Sequence, residues 1–346
     1  MRKRSVSNEK EGYNMKKIIV ILSIISTLIL GACGNEQSGQ SEQEQLKLKL
    51  GNSAPETDPT GVLVTNISNE LAERTDNAIE IEIFHGGQLG GEVEMVEQVR
   101  SGTIDMAFVS TGAFSNFSKD FAFLDLPFLF KDEAHAQKVL NGEVGDELKQ
   151  KALETDVIIL QFFDNGIANI ATKDKPIYKP EDLKGVKLRT LENAIFTATF
   201  KTLGASPIAI PYPEFYTSLQ QGIVDGSDPL HVTMVGGKIY ELAKKLSKVG
   251  ISYRAGILII NKDTYESLSN DLKDQFNEVI AQQYDIYKNE IYPEYQIYAE
   301  DVMTENGVEI IEADQIDIEA FKQAVQPVYD EFYDTYSHYL DKIMTN

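Results

Sequence analysis

The feature that most constrains the fold of this chain is a repeated switch between two hydrophobic periods. Residues 46–50 alternate leucine with lysine, which is typical of a strand with one buried face. A helix start at residues 58–60 (Asp-Pro-Thr) precedes apolar residues at helical spacing, and residues 79–83 return to strict alternation. A helix and a compact apolar strand follow within residues 92–109. Successive units of this kind predict an α/β fold with a mostly parallel sheet covered by helices.

The alternation resumes in the second half of the chain, which then ends in a helical segment. Further strands are predicted over residues 157–163, 185–190, 206–210, 248–254 and 256–261. From residue 262 the chain is strongly helical, with a long segment over residues 263–305 and a terminal helix from about Asp317. Residues 164–166 and 250–256 contain small or polar residues where one α/β unit meets the next. Two strands crossing at these points would form a hinge between two lobes.

An apolar segment near the N-terminus ends at Cys33, the only cysteine of the chain. Residues 18–30 follow two lysines and precede small residues, which is the pattern of a secretory signal. The run is well short of the roughly 20 residues that span a bilayer. Residues 30–33 (Leu-Gly-Ala-Cys) resemble a bacterial lipobox, which implies cleavage before Cys33 and lipidation of its thiol. An ordinary signal followed by an incidental cysteine is the alternative.

The segment after the cysteine is polar and contains no apolar anchor. Residues 34–45 (GNEQSGQSEQEQ) have a composition typical of a flexible tether. We therefore predict a signal peptide over residues 1–32 and a lipid tether over residues 33–45. The body of the protein would then lie outside the cytoplasm, lipid-anchored to the outer face of the cytoplasmic membrane, or in the periplasm. Met15 is a second candidate start beside Met1.

The body of the chain is strongly acidic. The formal net charge is -22, and removing the net +4 of residues 1–32 leaves -26 for the mature chain. Such a surface repels phosphate backbones, which argues against nucleic acid as a partner. With its one cysteine assigned to a lipid, the chain has no pair for a disulfide or a thiolate metal site, and its four histidines are scattered. We predict no metal and no cofactor, although a metal site built from carboxylates stays open.

Five long stretches carry a resemblance to a known family. They lie at residues 86–112 (GGQLGGEVEMVEQVRSGTIDMAFVSTG), 121–142, 176–190, 203–226 and 258–268. From about Leu46 onward the chain resembles the TRAP-type extracytoplasmic solute-binding proteins, specifically the dicarboxylate-binding family. The resemblance implies a two-lobed, type II-like clamshell of the periplasmic-binding-protein kind, with two hinge-crossing strands and a long C-terminal helix. It also implies delivery of a small organic acid to a transporter built from a small and a large membrane subunit.

The hinge positions and the resemblance together predict the boundaries of the two lobes. Lobe I would comprise residues 46–163 with residues 255–300. Lobe II would comprise residues 164–254 with residues 301–346. The two lobes would close over the organic acid, and we expect the protein to act as a monomer.

Arg189 is the strongest candidate for contact with the ligand. It belongs to residues 186–190, where strand alternation places it on the face opposite Val186 and Leu188. A guanidinium offers a planar fork that matches a carboxylate with two parallel charge-assisted hydrogen bonds. The resemblance implies the same role, because Arg189 matches the arginine that binds the ligand carboxylate in the family. A surface ion pair with an acid such as Glu192 is the alternative.

Two departures from the family pattern indicate the class of ligand. Relatives often carry a second arginine two residues after the glycine of the Asp-Asn-Gly turn, where this chain has Ala168. Relatives also often have asparagine before the proline that follows the Val-Asp-Gly motif, where this chain has Asp228. An aspartate facing the pocket would repel a second carboxylate and favour a hydroxyl or ammonium group. We therefore expect a hydroxy- or amino-substituted monocarboxylate. A C4-dicarboxylate, with Asp228 turned outward, is the alternative.

The remaining candidate ligand contacts rest on weaker signals. They share a position after a predicted strand or beside a motif of the family: Glu56, Gln88, Glu92, Ser110, Thr111, Asn193 and Tyr216. Ser110 and Thr111 follow the end of a strand, and we expect one of them to face the ligand. Tyr216 is equally compatible with a core tyrosine, and Glu56 with an exposed loop acid. The glycine-rich turn before Glu92 does not suit a phosphate, because the glutamate places negative charge at a helix start.

Sequence motifs of the common enzyme classes are missing from the chain. It contains no GxSxG, HExxH or Walker pattern, so we predict a binding protein without turnover. A lipid-anchored hydrolase is the least favoured alternative, because 54 acidic residues place some carboxylates close together by chance. A sensory solute-binding lipoprotein that couples to a receptor is a further alternative. Neighbouring genes for two membrane subunits, or for a sensor kinase, would distinguish transport from signalling.

Overall fold

The computed structural model describes residues 45–345. The predicted signal peptide, Cys33 and the tether up to residue 44 lie outside the described residues. The strands are β1 (Leu46–Asn52), β2 (Ile79–Phe84), β3 (Met106–Ser110), β4 (Val157–Thr172), β5 (Lys187–Thr190), β6 (Ser206–Ala209), β7 (Gly226–Ser227), β8 (Lys245–Asn261) and β9 (Glu309–Ile311).

Helices cover the sheet and make up most of the C-terminal quarter. The α-helices are α1 (Pro59–Arg74), α2 (Glu92–Arg100), α3 (Thr111–Phe114), α4 (Glu133–Leu140), α5 (Glu143–Ala152), α6 (Ala194–Thr202), α7 (Tyr212–Gln220), α8 (His231–Gly236), α9 (Lys262–Ser267), α10 (Asn270–Ile286), α11 (Tyr292–Glu305), α12 (Ile318–Ala324) and α13 (Gln326–Thr345). A π-helical turn over Tyr287–Ile291 joins α10 to α11. Short 3-10 helices include Lys119–Asp125.

The nine strands of residues 45–345 form one mixed sheet. Its order is β2-β1-β3-β8-β4-β7-β5-β6, and β9 pairs with β8. β1 pairs in parallel with β2 and β3, and β5 pairs in parallel with β6 and β7. The long central strands β4 and β8 are antiparallel to each other, and they pair antiparallel with β7 and β3 respectively. The expected parallel pairing is therefore correct for the outer strands, and β9 also pairs in parallel with β8, but the centre of the sheet is antiparallel. The outer strands form two halves joined by two crossing strands, as in the predicted two-lobed clamshell.

We name the half that contains β1–β3 the first lobe and the half that contains β5–β7 the second lobe. The crossing strands between them are longer than predicted, because β4 runs from Val157 to Thr172 and pairs with β8 over almost its whole length. The two strands predicted over residues 248–254 and 256–261 are in fact one strand, β8. Gly256 pairs directly with Phe163 of β4, whereas Gly250 lies where the pairing register shifts between Ser252 and Ser247, although the strand continues through it.

The predicted hinge coincides with a bend in β4. The pairing register of β4 and β8 shifts between Asp164 and Gly166. Gly166 has a φ of 100°, and a Cβ atom at this position would lie 1.8 Å from Oη of Tyr292. Only glycine adopts this backbone conformation without strain or fits against the tyrosine. The Asp-Asn-Gly sequence thus places an irregularity where the chain passes from one lobe to the other.

The hydrophobic periodicity of the sequence corresponds to the buried core. Leu63, Ile67 and Leu71 of α1 are fully buried, as their helical spacing predicts. Burial of a leucine or isoleucine side chain contributes about 1.5–3 kcal/mol. Phe114 and Phe121 are also fully buried, and their rings pack edge to face at 4.8 Å.

A glycine in β7 allows the second lobe to approach the crossing strands closely. A Cβ atom on Gly226 would lie 2.1 Å from the carbonyl oxygen of Ala171 in β4. No side chain fits in that space, so the Val-Asp-Gly motif requires glycine at its third position. This close approach brings Ser227 and Asp228, the next two residues, up to the crossing strands.

The C-terminal helices differ in detail from the predicted continuous segment. The helix expected over residues 263–305 is divided into α9, α10 and α11, and the terminal helix is divided at Val325 into α12 and α13. Tyr329 and Tyr339 of α13 donate hydrogen bonds to the carbonyl oxygen of Pro127 at 2.8 Å and to Asp120 at 3.1 Å. The terminal helix therefore packs against residues of the first lobe.

Residues 45–345 contain neither a candidate membrane-spanning helix nor a candidate metal cluster. None of the helices there is both long enough and apolar enough to cross a membrane. That part of the chain also contains no group of three or more histidine, cysteine, aspartate or glutamate side chains arranged to hold a metal ion.

Candidate functional site

A cavity of about 110 Å³ lies between the two lobes, against the crossing strands. Polar side chains on its wall include Asn52, Asp58, Glu92, Ser110, Asn165, Arg189, Tyr212, Ser227, Asp228 and Arg254. Ser110 ends β3 and Ser227 ends β7, while Arg189 is the penultimate residue of β5. The carboxyl ends of parallel strands are where open α/β sheets present ligand-binding groups. Both lobes thus place the carboxyl ends of parallel strands at the cavity.

Arg189 presents an unpaired guanidinium nitrogen to the cavity. The side chain is only 8% exposed, and its Nε donates to the carbonyl oxygen of Ile210 at 2.8 Å. The guanidinium carbon lies 5.5 Å from the centre of the Phe215 ring. Nη2 is buried and has no hydrogen-bond partner in the described part of the chain. Burial lowers the pKa of Arg189, whereas the charges of Asp228 and Glu92 act to raise it, and an arginine remains charged in proteins.

Arg254 supplies a second cation that was not predicted from the sequence. It lies on the crossing strand β8, and its guanidinium packs over the Phe196 ring at 3.7 Å. Its Nη2 binds a carboxylate oxygen of Asp228, and its Nη1 lies 3.7 Å from Oδ1 of Asp125. Burial raises the pKa of Asp125 to about 7 and also raises that of Asp228, and in both cases the positive charge of Arg254 opposes the increase. The charge of Arg254 is therefore balanced by protein carboxylates.

Two further carboxylates lie on the wall of the cavity in the first lobe. Glu92 begins α2 and accepts hydrogen bonds from the backbone N–H of Ser110 at 3.0 Å and from the hydroxyl group of the same residue. Asp58 accepts a hydrogen bond from Tyr295 at 2.8 Å. Burial raises the pKa of Asp58 to about 6, and the tyrosine partly opposes the increase. Asp58 is thus still largely ionised at pH 7, and the wall carries more acidic than basic groups.

Several buried polar atoms on the wall have no hydrogen-bond partner among residues 45–345. They are Asn52 Nδ2, Asn165 Oδ1, Arg189 Nη2, Ser227 Oγ and Arg254 Nη1. Buried polar groups in native proteins are nearly always paired, and leaving one unpaired costs about 1–3 kcal/mol. Their concentration on a single wall indicates a surface that binds a small polar molecule offering both hydrogen-bond donors and acceptors.

The structure brings four of the predicted residues together in the cavity wall: Glu92, Ser110, Arg189 and Asp228. The other predicted residues lie elsewhere. Glu56 and Gln88 are exposed to solvent, and Ala168 is wholly buried within β4. Thr111 is buried and donates to the carbonyl oxygen of Ala255 at 3.3 Å, so of the two neighbours only Ser110 faces the cavity.

Two further predicted contacts are also absent from the cavity wall. The hydroxyl group of Tyr216 donates to Glu241 at 2.8 Å on the outer side of α7. Tyr212, one turn earlier and at the start of the same helix, is the tyrosine that lines the cavity. Asn193 is buried between the lobes, where its amide group binds Ser115 and Asp125.

The residues that were not predicted left few signals in the sequence. Arg254 has the clearest signal, because it is the only charged residue in the apolar segment over residues 249–260. A lone charge in a buried strand requires a partner or a ligand. Asp58 was interpreted only as part of a helix start. Asn52 and Asn165 are small polar residues with nothing in the local pattern to distinguish them.

Comparison with known proteins places this site in context. Residues 50–335 match the profile of the DctP family, bacterial extracellular solute-binding protein, family 7. The 2,3-diketo-L-gulonate-binding periplasmic protein YiaO of Escherichia coli (strain K12) is 34% identical over 279 residues, covering 80% of this chain and 84% of that protein.

Solved structures agree with this match. A TRAP periplasmic solute-binding protein from Polaromonas sp. JS666, with bound D-erythronate, is similar with a TM-score of 0.82 at 30% identity, covering 86% of this chain and 98% of that chain. One from Sulfurospirillum deleyianum DSM 6946, with bound succinate, has a TM-score of 0.81 at 26% identity, covering 87% and 98%. Proteins similar to this chain therefore include both a hydroxylated monocarboxylate binder and a dicarboxylate binder.

Proposed function

This chain belongs to the DctP family of bacterial extracellular solute-binding proteins, and on that premise we propose that its ligand is a hydroxylated monocarboxylate. The ligand would bind in the cavity between the lobes and be delivered to the small and large membrane subunits of a TRAP transporter. The relatives are solute-binding transport proteins rather than enzymes. The proposal rests above all on the buried, unpaired nitrogen of Arg189.

The charge balance of the cavity supports one carboxylate rather than two. Of the two arginines on the wall, Arg254 is paired with Asp228 and Asp125, whereas Arg189 forms no ion pair within residues 45–345. A ligand carboxylate could therefore bind Arg189 through two parallel charge-assisted hydrogen bonds. A second carboxylate would have no free cation on the wall and would meet acidic side chains instead. Because Asp228 is paired with Arg254, it repels a second carboxylate less than the sequence predicted. The excess of acidic over basic side chains on the wall still disfavours a second carboxylate.

The remaining polar groups suit hydroxyl groups. Glu92 and Asp58 are acceptors, while Asn52 Nδ2 is a buried donor without a partner. A hydroxyl group both donates and accepts, so a polyhydroxylated chain could satisfy carboxylate and amide groups together. An amino-substituted monocarboxylate would also suit the acidic wall. The similar proteins named for diketogulonate and solved with erythronate bind hydroxylated monocarboxylates, which favours hydroxyl groups.

Ligand preference is the first test. We expect D-erythronate or D-glucuronate to raise the melting temperature of the purified protein, because a ligand that binds only the folded state stabilises it. Titration calorimetry should then give at least about tenfold tighter binding for the hydroxylated acid than for succinate, since a buried unpaired charge costs more than about 1.4 kcal/mol. Tight binding of succinate or L-malate, with no response to any sugar acid, would show instead that the ligand is a C4-dicarboxylate.

We also propose that the protein is lipid-anchored through Cys33, which lies outside the described residues. Cys33→Ser should move the protein from the membrane fraction to the soluble extracytoplasmic fraction, because a lipid chain is the expected tether of an acidic body. Incorporation of a labelled fatty acid into wild-type protein, and its loss in the variant, is the direct measurement. The matched control is Ser38→Ala within the tether, which should change nothing. A Cys33→Ser protein that stays in the membrane fraction would remove the anchor from the proposal.

We also propose that the protein is a monomer with two lobes. Lobe I would comprise residues 46–163 with 255–300, and lobe II residues 164–254 with 301–346. Contacts of α13 with Pro127 and Asp120 connect the C-terminal helix to the first lobe as well.

Removal of transporter-subunit genes should abolish uptake of the ligand, whereas a sensory role would leave uptake intact.

A further inference from the structure

Asn193 uses both ends of its side-chain amide to connect α6 with the first lobe. Its Oδ1 accepts a hydrogen bond from the backbone N–H of Ile195 at 2.7 Å, which caps the helix. This bond orients Nδ2 toward the first lobe, where it lies 2.8 Å from Ser115 Oγ and 3.0 Å from Asp125 Oδ2. The carbonyl oxygen of Gly112 is a third acceptor at 3.4 Å. We name Gly112, Ser115, Asp125 and Asn193 the interlobe cluster.

The interlobe cluster is buried and joins three parts of the fold. Asp125 is 2% exposed and Asn193 is 7% exposed, so water competes little for their bonds. Asp125 also faces Arg254, which stands on the crossing strand β8 and binds Asp228 of the second lobe. One carboxylate of the first lobe therefore interacts with an amide of the second lobe and with a guanidinium of the strand between them.

We propose that the interlobe cluster holds the lobes together without ligand and thereby sets the affinity of the cavity. None of its four residues lines the cavity, so these bonds need no ligand atom. Outside the interlobe cluster, Nδ2 of Asn116 adds a bond of 2.7 Å to the carbonyl oxygen of Glu192. When only a fraction of the molecules has the binding-competent form, the apparent affinity equals the intrinsic affinity multiplied by that fraction. Bonds that favour the closed form therefore tighten binding, which makes Asn193 and Asp125 positioning residues. The consequence for affinity rests on the proposed binding function.

The variant Asn193→Asp separates the two uses of the amide. Aspartate caps a helix as well as asparagine does, but it removes the Nδ2 donor and places a second carboxylate against Asp125. We expect small-angle X-ray scattering of the ligand-free full-length protein to show a larger radius of gyration than wild type. The affinity for D-erythronate should fall by about tenfold or more, while the ligand-saturated radius of gyration stays unchanged.

The exchanged pair Asn193→Asp/Asp125→Asn provides the matched control. It restores one donor and one carboxylate at the same two positions with their roles reversed. Arg254 loses the carboxylate of Asp125 but keeps its ion pair with Asp228, so the ligand-free radius of gyration should return toward the wild-type value. If Asn193→Asp does not fold, Asn193→Ser keeps a neutral cap, loses the amide donor and should show the same expansion. The measurement uses whichever of these two variants folds. If its ligand-free form has the radius of gyration of wild type, the proposal is overturned. Because the scattering is measured without ligand, it tests the interlobe cluster even if no sugar acid binds to the protein.

Discussion

Replacing Arg189 with alanine should weaken binding of the hydroxylated acid by about 30-fold to several thousand-fold, or about 2–5 kcal/mol. The reason is that Arg189 is the only cation on the cavity wall that is not paired with a protein carboxylate in the described chain. Its loss leaves the ligand carboxylate buried without a positive partner. Most of the effect should appear as faster dissociation, measured by stopped-flow fluorescence alongside calorimetry with D-erythronate.

The conservative variant Arg189→Lys distinguishes charge from geometry. Lysine keeps the positive charge but offers a point donor instead of a planar fork, and it loses the bond from Nε to Ile210. We expect an affinity between those of wild type and Arg189→Ala. The ligand-free urea-unfolding midpoint should change little in either variant. The loss of the bond to Ile210 is offset because a buried guanidinium that forms no ion pair within residues 45–345 is itself costly to the fold. Wild-type affinity in a folded Arg189→Ala protein would show that the carboxylate binds elsewhere.

Local periodicity was sufficient to predict most elements of the fold. The helix containing Leu63, Ile67 and Leu71 and the strand over residues 79–83 were predicted because each pattern follows from which face is buried. The continuity of β8 was not predicted, because its glycines suggest a break when the strand is considered alone. The antiparallel centre of the sheet was missed for a related reason. Strand direction depends on a partner about 90 residues away along the chain, which a local pattern does not contain.

The site was predicted less completely than the fold. Arg189 could be identified because a family motif and strand alternation agree on its position. Asn193 was expected to bind the ligand, but its amide is taken by Ser115 and Asp125, which lie 78 and 68 residues earlier in the chain. Tyr216 was a candidate ligand contact, yet its hydroxyl group bonds to Glu241. In each case the decisive contact is made with a distant segment, so residue type and spacing could not reveal it.

The second cation of the cavity wall stands on the strand that pairs with β4. Ala168, on the crossing strand β4, occupies the position where relatives often carry a second arginine. The structure has Arg254 on the paired strand β8, where Ser252 is the direct partner of Ala168. Arg254 does not remain free for a second ligand carboxylate, because Asp228 and Asp125 bind it. A count of arginines would therefore overestimate the capacity of the cavity for negative charge.

Replacing Arg254 with methionine should lower the free energy of unfolding at pH 7 by about 3–5 kcal/mol, because it leaves two buried carboxylates without their cation. Asp125 is 2% exposed and Asp228 is 8% exposed, so water cannot take over the role of the guanidinium. Urea unfolding of the ligand-free protein gives this quantity directly. The double variant Arg254→Met/Asp228→Asn should recover a large part of the loss, since one of the two unpaired charges is then absent.

The pH dependence of Arg254→Met provides an independent test of the same cause. Burial already raises the pKa of Asp125 to about 7, and removal of the nearby cation should raise it further. A carboxyl group with a raised pKa binds more protons in the folded state than in the unfolded state, so stability falls as the pH rises toward the folded pKa. The stability deficit of the variant should therefore be smaller at pH 5 than at pH 8. An equal deficit at both values would mean that lost packing against Phe196, rather than unpaired charge, causes the destabilisation.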